Sequence, residues 1–141
     1  MVFKRVILVC LFFVFNLSFG QIAAWQLNGA LGSETTRNAS TLDPNLNTST
    51  LSRLGGINPS ALGNAFGGTN FTASGTRADA LANWRGYTFT ISSLAGYNVS
   101  LSTIDARFRR SSTGPNNFAW YYSLDGTSFT QIGSDFTYTL T

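Results

Sequence analysis

Two runs with strand composition, NFAWYYSL (117–124) and TSFTQI (127–132), flank the pair Asp125-Gly126. Aromatic, threonine and isoleucine side chains fit a pleated surface, and glycine adopts the positive φ of a tight turn without steric cost. The passage therefore specifies a β-hairpin. Successive side chains of a strand point to opposite faces. Phe118, Trp120 and Tyr122 then share one face and Ala119, Tyr121 and Ser123 the other, which directs at least one large aromatic away from the main core. Beyond the hairpin, FTYTLT continues the alternation with Phe136, Tyr138 and Leu140 up to the last residue, Thr141.

The same period runs upstream. In YTFTI, Tyr87, Phe89 and Ile91 alternate with threonine, and SSLAGY then turns the chain. YNVSLSTIDARFRRSS places Tyr97, Val99 and Leu101 on odd positions and Ile104, Ala106 and Phe108 on even ones. One parity switch within an alternating strand is what a β-bulge produces, so a bulge is expected near Ser102 and Thr103. Asp105, Arg107 and Arg109 would share the outer face of that strand. Two readings fit them: a solvated charged ladder, which is the ordinary outer surface of an antiparallel sheet, or a cationic ligand-binding strip.

Earlier segments are weaker. IAAWQL (22–27) is apolar enough for a first strand, residues 28–45 read as a long polar loop, and LNTSTLSRL (46–54) suggests a second, weaker strand. INPSALGNAF (57–66) carries a turn or helix-start signal that Gly63, Gly67 and Gly68 cut short, and NFTASG (70–75) suits another short strand. TRADALANW (76–84) has the best helical composition, but a helix this short only connects strands. The expected fold class is all-β.

At the N-terminus, Lys4 and Arg5 precede the apolar run Val6–Phe15, and the small residues Ser18 and Gly20 stand before Gln21. This is the pattern of a secretory signal peptide over residues 1–20. Its apolar run is about half of the roughly 20 residues a spanning helix needs, so no membrane span is expected after cleavage. Cleavage removes Cys10, the one cysteine, and two of the nine basic residues, leaving seven arginines against six carboxylates. The remaining chain, residues 21–141, is near neutral and of single-domain length, so its charge does not imply nucleic acid. Without cysteine it has no disulfide and must rely on its core.

The chain has no histidine, which removes Ser-His-Asp and Cys-His catalysis and every usual zinc ligand set. Glu34, Asp43, Asp79, Asp105, Asp125 and Asp135 form no recognisable pair for glycoside hydrolysis, and no enzyme activity is expected. Asp43-Pro44-Asn45-Leu46-Asn47 starts like a calcium loop, but Thr48 stands where the loop needs glycine and Leu54 where it needs an acid; an Asx-rich turn fits better. The glycines of GGINPSALGNAFGG lack the Gly-Lys-Ser/Thr ending of a phosphate-binding loop. Aromatic residues are the remaining candidates. Sugar-binding surfaces stack rings on pyranose faces and add polar donors; Trp84, Trp120 and Tyr121 offer rings, and Arg85 and Arg107 offer donors. The candidate ligand residues are therefore Trp84, Arg85, Arg107 and Tyr121, with packing as the competing use of each aromatic.

WYYSLDGTSFTQIG resembles the strand-turn-strand signature of galactose-binding-like and discoidin-like jelly-roll sandwiches. From AWQLNG through NPSALGNAF and YTFTISSLAGYNVSLSTIDARFRRS to the hairpin, the chain resembles the N-terminal β-sandwich module of large secreted proteins of Gram-negative bacteria that use type IX secretion. The resemblance implies an antiparallel jelly-roll-like sandwich, further strands and domains of the same polypeptide past Thr141, and a secreted or cell-surface location. No cofactor is expected; a structural calcium ion, which jelly-roll modules often bind, is the alternative that the resemblance leaves open, and the Asx-rich turn is favoured over it. Three functions follow as expectations: a non-catalytic structural or adhesive module, a carbohydrate-binding module that brings an appended hydrolase to a polysaccharide or cell-surface glycan, or the accessory domain of a secreted nuclease or hydrolase.

Overall fold

The computed structural model describes residues 20–72 and 74–138. The expected signal peptide, apart from Gly20, and the expected strand end at Leu140 lie outside the described residues. The fold is all-β, with strands β1 (Ala23–Ala24), β2 (Thr36–Asn38), β3 (Thr41–Leu42), β4 (Thr50–Arg53), β5 (Asn58–Pro59), β6 (Gly68–Thr69), β7 (Tyr87–Thr88), β8 (Asn117–Tyr122) and β9 (Thr130–Thr137). Among the described residues one short helix, α1 (Arg77–Ala82), precedes β7. Every pairing is antiparallel: β1 with β3, β4 between β2 and β7, β5 with β6, and β8 with β9. Among the described residues no helix is long and apolar enough to cross a membrane.

The segment expected to be one long loop, residues 28–45, contains β2 and β3. Hydrophobic alternation could not reveal them, because polar side chains hold them in place. The Ser40 hydroxyl donates to the Ala24 carbonyl at 3.0 Å and accepts the Gln26 N–H at 2.9 Å, tying β3 to β1. Thr50 Oγ1 donates to Asn38 Oδ1 at 2.8 Å between β4 and β2. Where a strand expectation was met, the strand is short: IAAWQL forms only β1, LNTSTLSRL contributes β4, and YTFTI contributes β7. INPSALGNAF contains β5 and no helix, and the strand assigned to NFTASG falls just before it, at β6.

The buried interior is small and gathers around β4. Ala24, Ala30, Ile57 and Phe66 are buried, as is Ser49, whose hydroxyl donates to the Thr90 carbonyl at 2.6 Å. Arg53, at the end of β4, lies over the Phe66 ring with its guanidinium carbon 3.7 Å from the centroid. Its donors reach three carbonyls: Nε to Gly67 at 2.7 Å, one terminal nitrogen to Glu34 at 2.5 Å and the other to Gly32 at 2.7 Å. A planar five-donor fork suits this task, since it serves several acceptors while its flat face rests on an aromatic ring. The Glu34 carboxylate closes the same loop by accepting the Leu31 and Gly32 N–H groups at 2.7 and 2.8 Å. Gly32 is required here: its φ is +88°, and a Cβ would lie 2.4 Å from the Leu62 nitrogen.

β8 and β9 form the expected hairpin, and its connection is the seven-residue loop 123–129, longer than a two-residue turn. Gly126 takes φ +74°. Phe118 faces Phe136 while Trp120 faces Ile132, so Gly133, Ser134 and Asp135 together oppose Ala119. The bulge thus adds two residues, an even number, and Ile132 and Phe136 remain on the face of Phe118 and Trp120. Gly133, at φ +66°, supplies the left-handed step.

The bulged strand expected around Ser102 and Thr103 is not formed. Residues 97–111 carry no helix, strand, turn or bend, and residues 98–107 are all exposed. Alternation sets side-chain direction only once a neighbouring strand fixes the pleat, and among the described residues none pairs with this segment. Among the described residues a bulge lies instead in the hairpin.

Replacing Arg53 by alanine leaves three carbonyls without their donor and uncovers Phe66. The expected loss is about 3 kcal/mol, with Arg53→Lys recovering less than half because one ammonium cannot reproduce the fork. Urea unfolding followed by tryptophan fluorescence measures both; an alanine variant as stable as the parent rules out this role.

Candidate functional site

The hairpin has two occupied faces, and each holds part of the candidate set. On one face Phe108 stacks on Phe118 at 5.2 Å, Phe118 on Phe136 at 5.5 Å, and Trp120 lies 6.4 Å from Phe136 at 22°. These rings are only half-buried. Phe108, Trp120 and Phe136 line an open groove of about 530 Å³ that Asp105 and Arg107 also line. Stacked and tilted pairs at these distances contribute beyond the area they bury, and this cluster holds the unpaired 97–111 segment against the hairpin.

On the opposite face α1 is joined to β9 through Arg77. Its start is set locally: Thr76 Oγ1 accepts the Asp79 N–H and the Asp79 carboxylate accepts the Thr76 N–H, a reciprocal capping box. Arg77 then donates to Gln131 Oε1 at 2.7 Å and pairs with the Asp135 carboxylate. That bond to Asp135 is the main reason the Arg77 guanidinium is held above its ordinary pKa, with a smaller contribution from the Tyr121 phenol. The pair is solvent-exposed, so its value is positional more than energetic.

α1 ends in an unusual way. The Arg85 N–H bonds to the Ala80 carbonyl at 2.9 Å and the Trp84 N–H to the Leu81 carbonyl at 3.1 Å, the two bonds of a Schellman motif. That motif calls for a left-handed residue, usually glycine, at the position held by Trp84, whose φ is +50°. The indole is 50% exposed and meets Phe129 edge-on at 6.1 Å. A bulky side chain in this conformation costs about 1–2 kcal/mol.

The four candidates therefore do not converge. Trp84 and Tyr121 belong to the helix side of the hairpin and Arg107 to the groove side, beside Trp120. Arg85 turns away from both: its Cγ lies where a Cβ on Gly56 would come within 2.9 Å, and its Nε is buried with no partner among the described residues. Sequence reasoning missed Arg77 with Gln131 and Asp135, which lie 54 and 58 residues from it and give it no local signal. The groove was more legible, since its rings Phe108, Trp120 and Phe136 all share even parity.

Most carboxylates act on the chain's own backbone or pair with its own arginine. Asp43 accepts the Asn45 N–H at 2.8 Å, so Asp43–Asn47 forms the Asx turn. Among the described residues no group of three or more Asp or Glu side chains gathers where it could hold a metal. Asp125 Oδ1 accepts the Thr127 and Ser128 N–H groups at 2.8 and 2.7 Å and the Ser123 hydroxyl at 2.9 Å. The Ser128 and Thr127 amides foremost hold its carboxyl far below the usual carboxylate range. Glu34 is lowered by its own backbone N–H and then by that of Leu31, and Asp79 by the backbone and then the hydroxyl of Thr76.

The folded chain binds a proton at Asp125 less readily than the unfolded chain does. Its stabilising effect is therefore complete above the unfolded value of about 3.9 and is withdrawn as the pH falls. Asp125→Asn is expected to flatten the fall in the urea midpoint below about pH 4 and to leave the neutral-to-alkaline limb unchanged. Equal acid slopes in the two proteins contradict this role. No family model matches the chain, and no curated protein and no solved structure matches it.

Proposed function

We propose that the chain is a non-catalytic β-sandwich module of a secreted or surface-displayed protein, with a structural or adhesive role. The observation that carries this reading is the use of its charge. Glu34, Asp79 and Asp125 are held ionised by bonds to turns and a helix start, the opposite of the raised pKa a general acid needs. Side chains used this way build a scaffold. Export through the expected signal peptide, jelly-roll connectivity and kinship with modules of type IX-secreted proteins belong to the same proposal and rest on the motifs quoted above.

A second reading, binding of polysaccharide or cell-surface glycan, is favoured by Trp84. Its backbone occupies a glycine position at a cost, yet the ring is left half-exposed. Such local strain is a recognised mark of a functional position. A flat exposed ring suits the apolar face of a pyranose, and Tyr121 lies on the same side of the hairpin.

Two experiments test these readings. In a Gram-negative host the exported product is expected to begin at Gln21 and to release no reducing ends from a polysaccharide panel; an unprocessed chain or sugar release overturns the first reading. For the second, Trp84→Ala and Trp84→Gly are both expected to abolish pull-down on whichever insoluble polysaccharide retains the parent. Trp84→Gly is expected to be more stable than Trp84→Ala by about 1 kcal/mol, because only glycine relieves the left-handed strain. Retention of both variants, or of no protein on any polysaccharide, overturns glycan binding.

A further inference from the structure

Residues 97–111 form a continuous run without turn or bend, and no backbone–backbone hydrogen bond engages residues 98–110 among the described residues. Tyr97 and Leu101 are 53% and 51% exposed, and Val99 and Ile104 are 39% and 36% exposed. An exposed run with alternating apolar residues and unpaired N–H and C=O groups is a template for another strand.

We infer that this segment pairs antiparallel with the same segment of a second copy of the chain, about a twofold axis at Ala106. The register follows from charge and parity. In an antiparallel ladder, opposing residues lie on one face, so a symmetric pair must be centred on a residue. Centring on Asp105 opposes Asp to Asp, and centring on Arg107 opposes Arg to Arg. Centring on Thr103 or Ile104 sets Leu101 against Asp105 or Arg107. A pair centred on Val99 joins Tyr97 to Leu101 but gives neither Asp105 nor Arg107 an opposite charge.

Ala106 alone satisfies both faces. Asp105 opposes Arg107 of the second copy, twice, while Ile104 opposes Phe108, twice, around an Ala106–Ala106 contact. Opposite charges directly across a ladder are favourable and like charges are not, so the same two residues select the register and reject its neighbours. The apolar row extends from Phe108, which already packs on Phe118, and so continues the hairpin's aromatic face. Because the pairing is isologous, each chain uses the same edge of the segment in it.

The test is sedimentation equilibrium of the full chain, purified under native conditions, over a range of concentrations. The parent is expected to be a monomer–dimer equilibrium. Asp105→Arg is expected to raise the dimer Kd roughly tenfold or more, because two attractive pairs become repulsive, and Arg107→Asp is expected to do the same. The double variant Asp105→Arg with Arg107→Asp, which restores opposite charges in the same register, is expected to return Kd close to that of the parent. Near-ultraviolet circular dichroism of the aromatic cluster checks that each variant keeps its fold. A parent that is monomeric throughout or forms larger assemblies overturns the inference. So does an unchanged Kd in either single variant, or a double variant that fails to recover.

Discussion

The Arg53 guanidinium is the interaction on which the largest part of this fold depends. Among the described residues few side chains are buried, and the interior around Phe66 and Ile57 is too small to order the surrounding loops by apolar burial alone. Arg53 takes that role by donating to the carbonyls of Gly32, Glu34 and Gly67 while its flat face covers Phe66. One side chain at the end of the central strand of the three-stranded sheet thereby connects the loop before β2, the strand itself and the start of β6. Glu34 completes the arrangement from the other side, with its carboxylate on the Leu31 and Gly32 amides.

The same device recurs wherever strands are short. Ser40 ties β1 to β3, Asp43 shapes the turn that follows, Thr76 and Asp79 begin α1, and Asp125 organises the hairpin loop. A chain without disulfides and with a small interior satisfies its backbone polar groups through side chains at turns, where sheet ladders of two or three residues leave many unpaired. This is why the hydroxyl, amide and carboxylate content that first suggests loops also supplies much of the structure. It also explains why the Glu34, Asp79 and Asp125 carboxyls, which accept backbone N–H groups, are held below their ordinary values.

The hairpin stands apart in character, because its order comes from rings. Phe108, Phe118, Trp120 and Phe136 hold one face, and α1 is fastened to the other through Arg77. Trp84 closes the helix at a position where glycine would be less strained, and so combines an unfavourable backbone with an exposed ring. The hairpin separates the groove containing Arg107 from the Trp84 side, and the two surfaces are chemically distinct: one is a half-covered aromatic floor with a charged rim, the other a single presented indole beside an ion pair.

The sequence by itself determined the all-β class, the hairpin and the sidedness of its rings, and the short connecting helix, because each depends on contacts between residues close in the chain or on a period of two. The Asp125-Gly126 turn signal between two β-prone runs needed no distant information. Tertiary structure alone decided which alternating segments became strands. Tyr97–Arg110 has as good a pattern as the hairpin and yet forms no ladder, since a strand exists only where a partner supplies its hydrogen bonds. It alone also placed Arg53 on its three carbonyls, joined Arg77 to Asp135 across 58 residues and divided the four candidate ligand residues among separate surfaces. A guanidinium's partners are chosen by distance in space, and no spacing along the chain encodes that distance.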